Sequence, residues 1–161
     1  MYKRQEDTPG SHDIALLEAE NKTAGIDDFM IINTNARSLC PKAQSFIDCF
    51  TELDVNLAIV TETWFGDSPD LQADLDDLLH ATGIATIARN RPPKDGVSYG
   101  GVAVCYRASM MHLKDICYPN PDAFETLFAV GSIHGHSRRL VVIAAYMPPG
   151  DRVARLSLIH I

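Results

Sequence analysis

The sequence predicts an α/β domain: a mixed β-sheet with helices on one face, followed by further strands. Three observations carry that expectation. Short apolar runs alternate with helix-periodic stretches between residues 29 and 83. From residue 84 onward the pattern turns to strands and turn signals alone. The 161 residues are 46% hydrophobic and 22% charged, which suits one globular domain with a real core.

The elements follow in order. Residues 6–27 are polar and acidic, broken by Pro9-Gly10 and Gly25, and read as a linker with a short helix around Asp13 to Glu20. Phe29-Met30-Ile31-Ile32 is an apolar run expected to be a buried strand. Pro41 is a good first residue for a helix, and Ala43, Phe46, Ile47, Phe50 and Leu53 keep helical spacing, so a helix is expected over Lys42 to Leu53. Leu57 to Val60 is the next buried strand, ending at Thr61-Glu62. A second helix is expected over Asp70 to His80, with Leu71, Leu75, Leu78 and Leu79 on one face and Gly83 as its stop. Strands are then expected over Ile84 to Ala88, Val102 to Arg107, Lys114 to Tyr118, Phe124 to Ile133 and Arg139 to Met147. His134-Gly135-His136-Ser137 forms the turn between the last two, and Pro148-Pro149-Gly150 closes the series.

Composition narrows the function. The longest apolar run, Leu140 to Met147, is far too short to span a bilayer, and no secretory leader is recognisable, so an intracellular protein is expected. Cys40, Cys49, Cys105 and Cys117 form no C-x-x-C pair, which leaves zinc-ribbon and thioredoxin-like readings without support and favours reduced thiols. The net charge of −7 argues mildly against a protein that grips DNA by a broad basic surface. His134 and His136 lie in a turn with glycine between them and no third ligand nearby, so a solvated turn is the better reading than a metal site.

Three polar residues fall just past strand ends: Asn35, Glu62 and Tyr146. Strand ends and the loops after them are where α/β proteins place reactive groups. Each alone also fits a bland role: Asn35 shaping a turn, Glu62 in solvent, Tyr146 at an amphipathic strand end.

Their context is more specific. Asn35-Ala36-Arg37-Ser38-Leu39 with Lys42, then Ile59-Val60-Thr61-Glu62-Thr63-Trp64-Phe65, Gly100-Gly101-Val102-Ala103-Val104, and Tyr146-Met147-Pro148-Pro149 follow in that order. This series, covering roughly Asp28 to Gly150, resembles the LINE-type retrotransposon endonuclease domain of the endonuclease/exonuclease/phosphatase superfamily. The resemblance implies the first half of a four-layer α/β/β/α sandwich of the DNase I-like kind, truncated here. It implies cleavage of DNA phosphodiesters with Mg²⁺, or alternatively Mn²⁺, in a nuclear protein with a reverse transcriptase in cis. Glu62 then matches the metal-binding glutamate, Asn35 the active-site asparagine, and Tyr146 the tyrosine on the phosphate. Arg89 and Arg91 fall where relatives carry a basic pair, and are carried over as DNA contacts. Two alternatives stay open. One is another phosphodiesterase of the superfamily (a repair nuclease, or an inositol-phosphate or lipid phosphodiesterase), against which the N-A-R-S-L element argues. The other is a non-catalytic binding module or decayed retroelement product.

The ends of the chain read differently. Leu156-Ser157-Leu158-Ile159-His160-Ile161 is what CTG TCT CTT ATA CAC ATC encodes, the transposase adapter of sequencing libraries. Met1-Tyr2-Lys3-Arg4-Gln5 corresponds to the same adapter on the opposite strand. Residues 1–5 and 156–161 are therefore expected to be adapter translation, and 28–155 the N-terminal part of the endonuclease domain. The family's second half, with an Asp-x-Asn element and a Ser-Asp-His element, does not follow Gly150. The fragment is expected to be inactive and to expose the strand edge at Arg139 to Met147. Sequencing the source DNA with a different library chemistry is expected to replace both terminal codon sets and to continue past Arg155 into those elements. Finding the same terminal codons there would overturn the adapter reading.

Overall fold

Leu57-Ala58-Ile59-Val60 is apolar at every position because its strand is covered on both faces. The computed structural model describes residues 29–67, 69–91, 100–116 and 125–147. Seven strands and two helices lie within them. In chain order they are β1 (Ile31–Asn35), α1 (Ala43–Glu52), β2 (Leu57–Thr61), α2 (Pro69–Ala81), β3 (Ile84–Arg89), β4 (Val102–Arg107), β5 (Met111–Asp115), β6 (Glu125–Ile133) and β7 (Arg139–Tyr146). The first four strands form one sheet in the order β1-β2-β4-β3, and the last three form a second in the order β5-β6-β7. β1 and β2 run parallel; every other neighbouring pair is antiparallel. The expected mixed sheet is therefore present, with a second sheet beside it.

Alternation along the strands sorts side chains into two cores. On one face of the first sheet, Ile32, Ala58, Val60, Ala103 and Cys105 meet Phe46, Ile47 and Phe50 of α1 and Leu75 and Leu79 of α2. On the other face, Leu57, Ile59, Val102, Val104 and Tyr106 pack on Met111, Leu113, Leu127, Ala129, Val142 and Ala144 of the second sheet. The described residues thus stack as helices, sheet, sheet. Among them β7 is an edge strand, and Val141 on its outer face is 50% exposed.

Local chemistry accounts for the boundaries. A single 3₁₀ turn, Cys40–Lys42, carries Pro41 and leads into α1, so the helix proper begins one residue later than its periodicity suggests. Asp54 (φ 51°) ends α1 in the left-handed region, where aspartate is tolerated. Gly83 (φ 78°) ends α2. Leu71 and Leu78 of α2 are exposed, so that helix buries only the Leu75 and Leu79 part of the apolar stripe expected for it. β1 lies two residues later than its apolar run, because parallel pairing from Ile31↔Leu57 to Asn35↔Thr61 carries the polar Asn33-Thr34-Asn35 into the sheet. β5 covers 111–115 rather than Lys114 to Tyr118, since Met111 and Leu113 face the core while His112 and Lys114 are exposed. Residues 117–118 of that expected strand, the 6–27 linker with its short helix, Pro148–Gly150 and both termini lie outside the described residues. Cys40 and Cys49 are half-buried free thiols. Burial pushes the Cys105 thiol up to about 12, which keeps it protonated and unreactive.

At the end of the sheet where β2 begins, Arg107 ties β4 to the C-terminus of α1. Its Nε donates to Val55 O (2.8 Å) and its Nη2 to Phe50 O (3.3 Å), while its guanidinium lies 5.6 Å from the Phe50 ring centroid. Nη2 is also 2.8 Å from Asp54, but that carboxylate is 86% exposed, so the ion pair adds little. Buried Asn56 accepts from Met30 N through Oδ1 (2.6 Å) and anchors the approach to β1. Arg107→Ala is expected to lower unfolding free energy by about 2 kcal/mol through the lost carbonyl bonds and ring contact, and Asp54→Ala by less than about 0.5 kcal/mol. Urea unfolding of the two variants checks this ordering.

Candidate active site at the strand ends

β1 and β2 leave the first sheet side by side, and their pairing continues past the strands. Ala36 N donates to Thr61 O (2.9 Å), Ser38 N to Glu62 O (2.9 Å) and Leu39 N to Thr63 O (3.1 Å). Both loops turn sharply. Arg37 (φ 45°), Ser38 (φ 74°), Glu62 (φ 53°) and Trp64 (φ 56°) all adopt the left-handed region without being glycine. Each costs on the order of 1–2 kcal/mol, and such strain gathers at functional sites. Lys42 helps hold the first loop: its Nζ donates to Ala36 O and to Arg37 O. Asn35 is exposed, and its Oδ1 accepts from Arg37 N (3.2 Å), closing a small turn.

The Glu62 loop rests on the glycines that lead into β4. Trp64 N donates to Gly100 O (2.8 Å) and Thr63 N to Gly101 O (3.3 Å). Both glycines have positive φ (108° and 91°). A Cβ at Gly100 would collide with the Glu125 carboxylate, and one at Gly101 with the Thr63 hydroxyl. Only glycine satisfies both the conformation and the space.

Across the gap between the sheets, Tyr146 O–H donates to Glu62 Oε1, joining residues 84 apart in sequence. Tyr146 is the last residue of β7 and pairs in register with Glu125, the first of β6. The Glu125 side chain is 10% exposed, and its Oε2 accepts from Gly101 N. Its Oε1 is buried without a hydrogen-bond partner among the described residues; Arg91 Nε stands 3.6 Å away, an ion pair beyond hydrogen-bond reach. Burial raises the Glu125 pKa and the Glu62 charge adds to it, against the opposing pull of Gly101 N–H and Arg91. Burial also raises Tyr146, followed by its bond to Glu62 and the charges of Glu62 and Glu125. The phenol therefore stays protonated, a donor rather than a base.

The structure thus brings Glu62, Tyr146 and Arg91 together and sets Asn35 on the adjoining strand end. Arg89 is used differently. Its Nη2 reaches Asp115 Oδ1 (3.2 Å) and Ile116 O (3.3 Å), bracing the first sheet against the second with a side chain only 17% exposed. His134 Nδ1 lies 2.9 Å from Ser109 O in an exposed turn. Glu125 is the residue that motif reading missed. Its signal was the strand period: counting back from Ala129 and Leu127 puts a carboxylate at an inward position, which a purely structural strand avoids.

Glu125 also gives a pH dependence with a definite sign. Its folded pKa lies above the ordinary 4.5, so its contribution to stability is fully present below that value and is lost as pH rises through the raised one. Glu125→Gln keeps an acceptor for Gly101 N–H and removes the charge. In chelator-treated protein, the melting temperature of Glu125→Gln is expected to gain on wild type between pH 4.5 and pH 8. A constant difference across that range, followed by circular dichroism, would contradict this.

No family model and no curated protein matches the chain. Two solved structures are similar to it. One is the crystal structure of ANGEL2, a 2',3'-cyclic phosphatase, at 12% identity and TM-score 0.49, covering 64% of this chain and 30% of that one. The other is the same phosphatase in complex with adenosine-2',3'-vanadate, at 12% identity and TM-score 0.48, covering 64% of this chain and 31% of that one. The chain spans less than a third of the length of those proteins, and a likeness of this size carries no argument about chemistry.

Proposed function

We propose that this chain carries part of the active site of a divalent-metal-dependent phosphodiesterase of the endonuclease/exonuclease/phosphatase superfamily, of the LINE-type endonuclease kind, acting on DNA. The observation that carries the reading is the Tyr146–Glu62 hydrogen bond, which gathers motif residues from both sheets at one cluster of strand ends. Composition alone gave no reason for these two residues to meet.

The donor set fits a hard cation. Glu62 supplies a carboxylate, Asn35 an amide and Tyr146 a hydroxyl, all oxygen donors of the kind Mg²⁺ prefers, and Mg²⁺ needs only one or two protein carboxylates beside water and substrate oxygens. In this reading Glu62 holds the metal. When bound, the ion polarises a phosphoryl oxygen and offsets charge on the leaving oxygen. The chain's own residues do the rest. Glu62 is held in a left-handed loop by Gly100 and Gly101, so its carboxylate is oriented before substrate arrives. Tyr146 keeps its proton, and its single O–H would turn from Glu62 to a phosphate oxygen when substrate binds. The exposed Asn35 amide nitrogen donates to another. Arg91, with its side chain 37% exposed, sits at the cluster and offers positive charge to the DNA backbone. Arg89, the other arginine of the pair, has its Nη2 on Asp115 and Ile116 O and is the lesser DNA contact in this reading. Little covalent work falls to the protein; positioning and charge stabilisation dominate.

The test uses the complete reading frame recovered from the source DNA. With Mg²⁺ it is expected to nick supercoiled plasmid, to stop on chelation, and to slow on the order of a hundredfold or more in Glu62→Ala and in Tyr146→Phe. The 161-residue chain alone is expected not to turn over. Nicking that survives Glu62→Ala undiminished would sink the assignment.

A further inference from the structure

Glu125 is a buried carboxylate that no motif accounts for. It is inward-facing in β6, beside Leu127 and Ala129, where an apolar side chain would otherwise complete the core between the sheets. One of its oxygens is satisfied by Gly101 N–H. The other is buried and accepts no hydrogen bond among the described residues, with Arg91 Nε 3.6 Å away. A carboxylate oxygen left in that state is costly unless something positive completes it. Arg91 is a weak candidate, being out of hydrogen-bond range and more than a third exposed.

The surroundings indicate what completes it. Glu125 and Tyr146 are register partners on neighbouring strands, and the Tyr146 hydroxyl is bonded to Glu62. Two carboxylates, one from the loop after β2 and one from the start of β6, therefore flank one phenol at the polar end of an otherwise apolar layer. Two acids beside one phenol repel each other unless one holds a proton or a cation lies close to both.

We propose that Glu125 is a second carboxylate ligand of the divalent cation held by Glu62, so that the site draws one acid from each sheet. This rests on the metal-site reading of Glu62. Two carboxylates match the charge of one divalent ion and stay within the protein ligand number that Mg²⁺ accepts. Gly101 N–H fixes the Oε2 side, which leaves Oε1 as the ligating atom. The Gly100–Gly101 turn then serves the metal site directly, since any side chain at Gly100 would strike the ligand.

The experiment is metal binding by the 161-residue chain, read without turnover. Trp64, the sole tryptophan, lies two residues from Glu62 and serves as the sensitiser for Tb³⁺ luminescence, with Mg²⁺ as competitor. Wild type is expected to show sensitised emission that Mg²⁺ displaces. Glu125→Gln, with its circular dichroism and melting checked, is expected to weaken both ions by at least about tenfold, and Glu62→Gln likewise. In wild-type protein, the side-chain carboxylate ¹³C resonances of Glu62 and Glu125 are both expected to shift on Mg²⁺ titration, which decides the matter even if a variant fails to fold. Loss of binding in Glu62→Gln with none in Glu125→Gln, or a shift at Glu62 alone, would overturn the role of Glu125 and leave Glu62 as the ligand. Binding unaffected by either change would overturn both.

Discussion

The close approach of Gly100 and Gly101 to Glu125 and Thr63 governs how the two sheets meet at the site. Both glycines use left-handed backbone, and each carries its carbonyl to the Glu62 loop while Gly101 sends its N–H to Glu125. One dipeptide therefore holds a loop of the first sheet and a strand of the second in fixed relation. The Tyr146–Glu62 bond crosses the same gap and depends on the same spacing. Where the sheets are farther from this end, apolar contact between Leu57, Ile59, Val104, Leu113 and Leu127 sets their separation instead. The polar end is thus specified by directional bonds and the remainder by shape.

Much of this was readable in the residues, for physical reasons that differ between elements. β2 and β4 were clear because a strand covered on both faces must be apolar throughout, and Leu57 to Val60 and Val102 to Val104 are. α1 was clear because Phe46, Ile47 and Phe50 repeat at helical spacing. β1 and β5 were misplaced by two or three residues because each takes its position from a neighbour: β1 from its register with β2, β5 from its register with β6. In α2, Leu71 and Leu78 belong to the same stripe as Leu75 and Leu79 in sequence, yet a single sheet face has room for only part of a stripe that wide. At the site, Asn35, Glu62 and Tyr146 came from motif order. Glu125 could not, since it owes its meaning to Gly101, 24 residues away in sequence.

The electrostatics of the cluster run against its packing. Glu62 and Glu125 face one phenol, and burial raises both Glu125 and Tyr146 above their ordinary values. Four left-handed residues other than glycine sit in the two adjoining loops. A purely structural sheet end would have neither. Paired backbone bonds between the β1 and β2 loops, the lysine on the Ala36 and Arg37 carbonyls, and the Arg89–Asp115 brace supply the rigidity that keeps so strained an arrangement in place. The acidic balance of the chain also takes on a narrower sense: part of it, Glu62 and Glu125, is gathered at the strand ends next to Arg91.

The division of the sheets along the chain bears on synthesis. Among the described residues, every strand of the first sheet lies between 31 and 107, and every strand of the second between 111 and 146. A ribosome therefore delivers the first sheet whole, with its helices on one side, before the second has been made. Until then Leu57, Ile59, Val102, Val104 and Tyr106 form a bare apolar face on the nascent chain. That interval is the point of greatest exposure to chaperones and to mispairing, and it closes only when β6 and β7 arrive. The last of these ends at Tyr146, so the contact that joins the two sheets at the site forms only once the final described strand has been made.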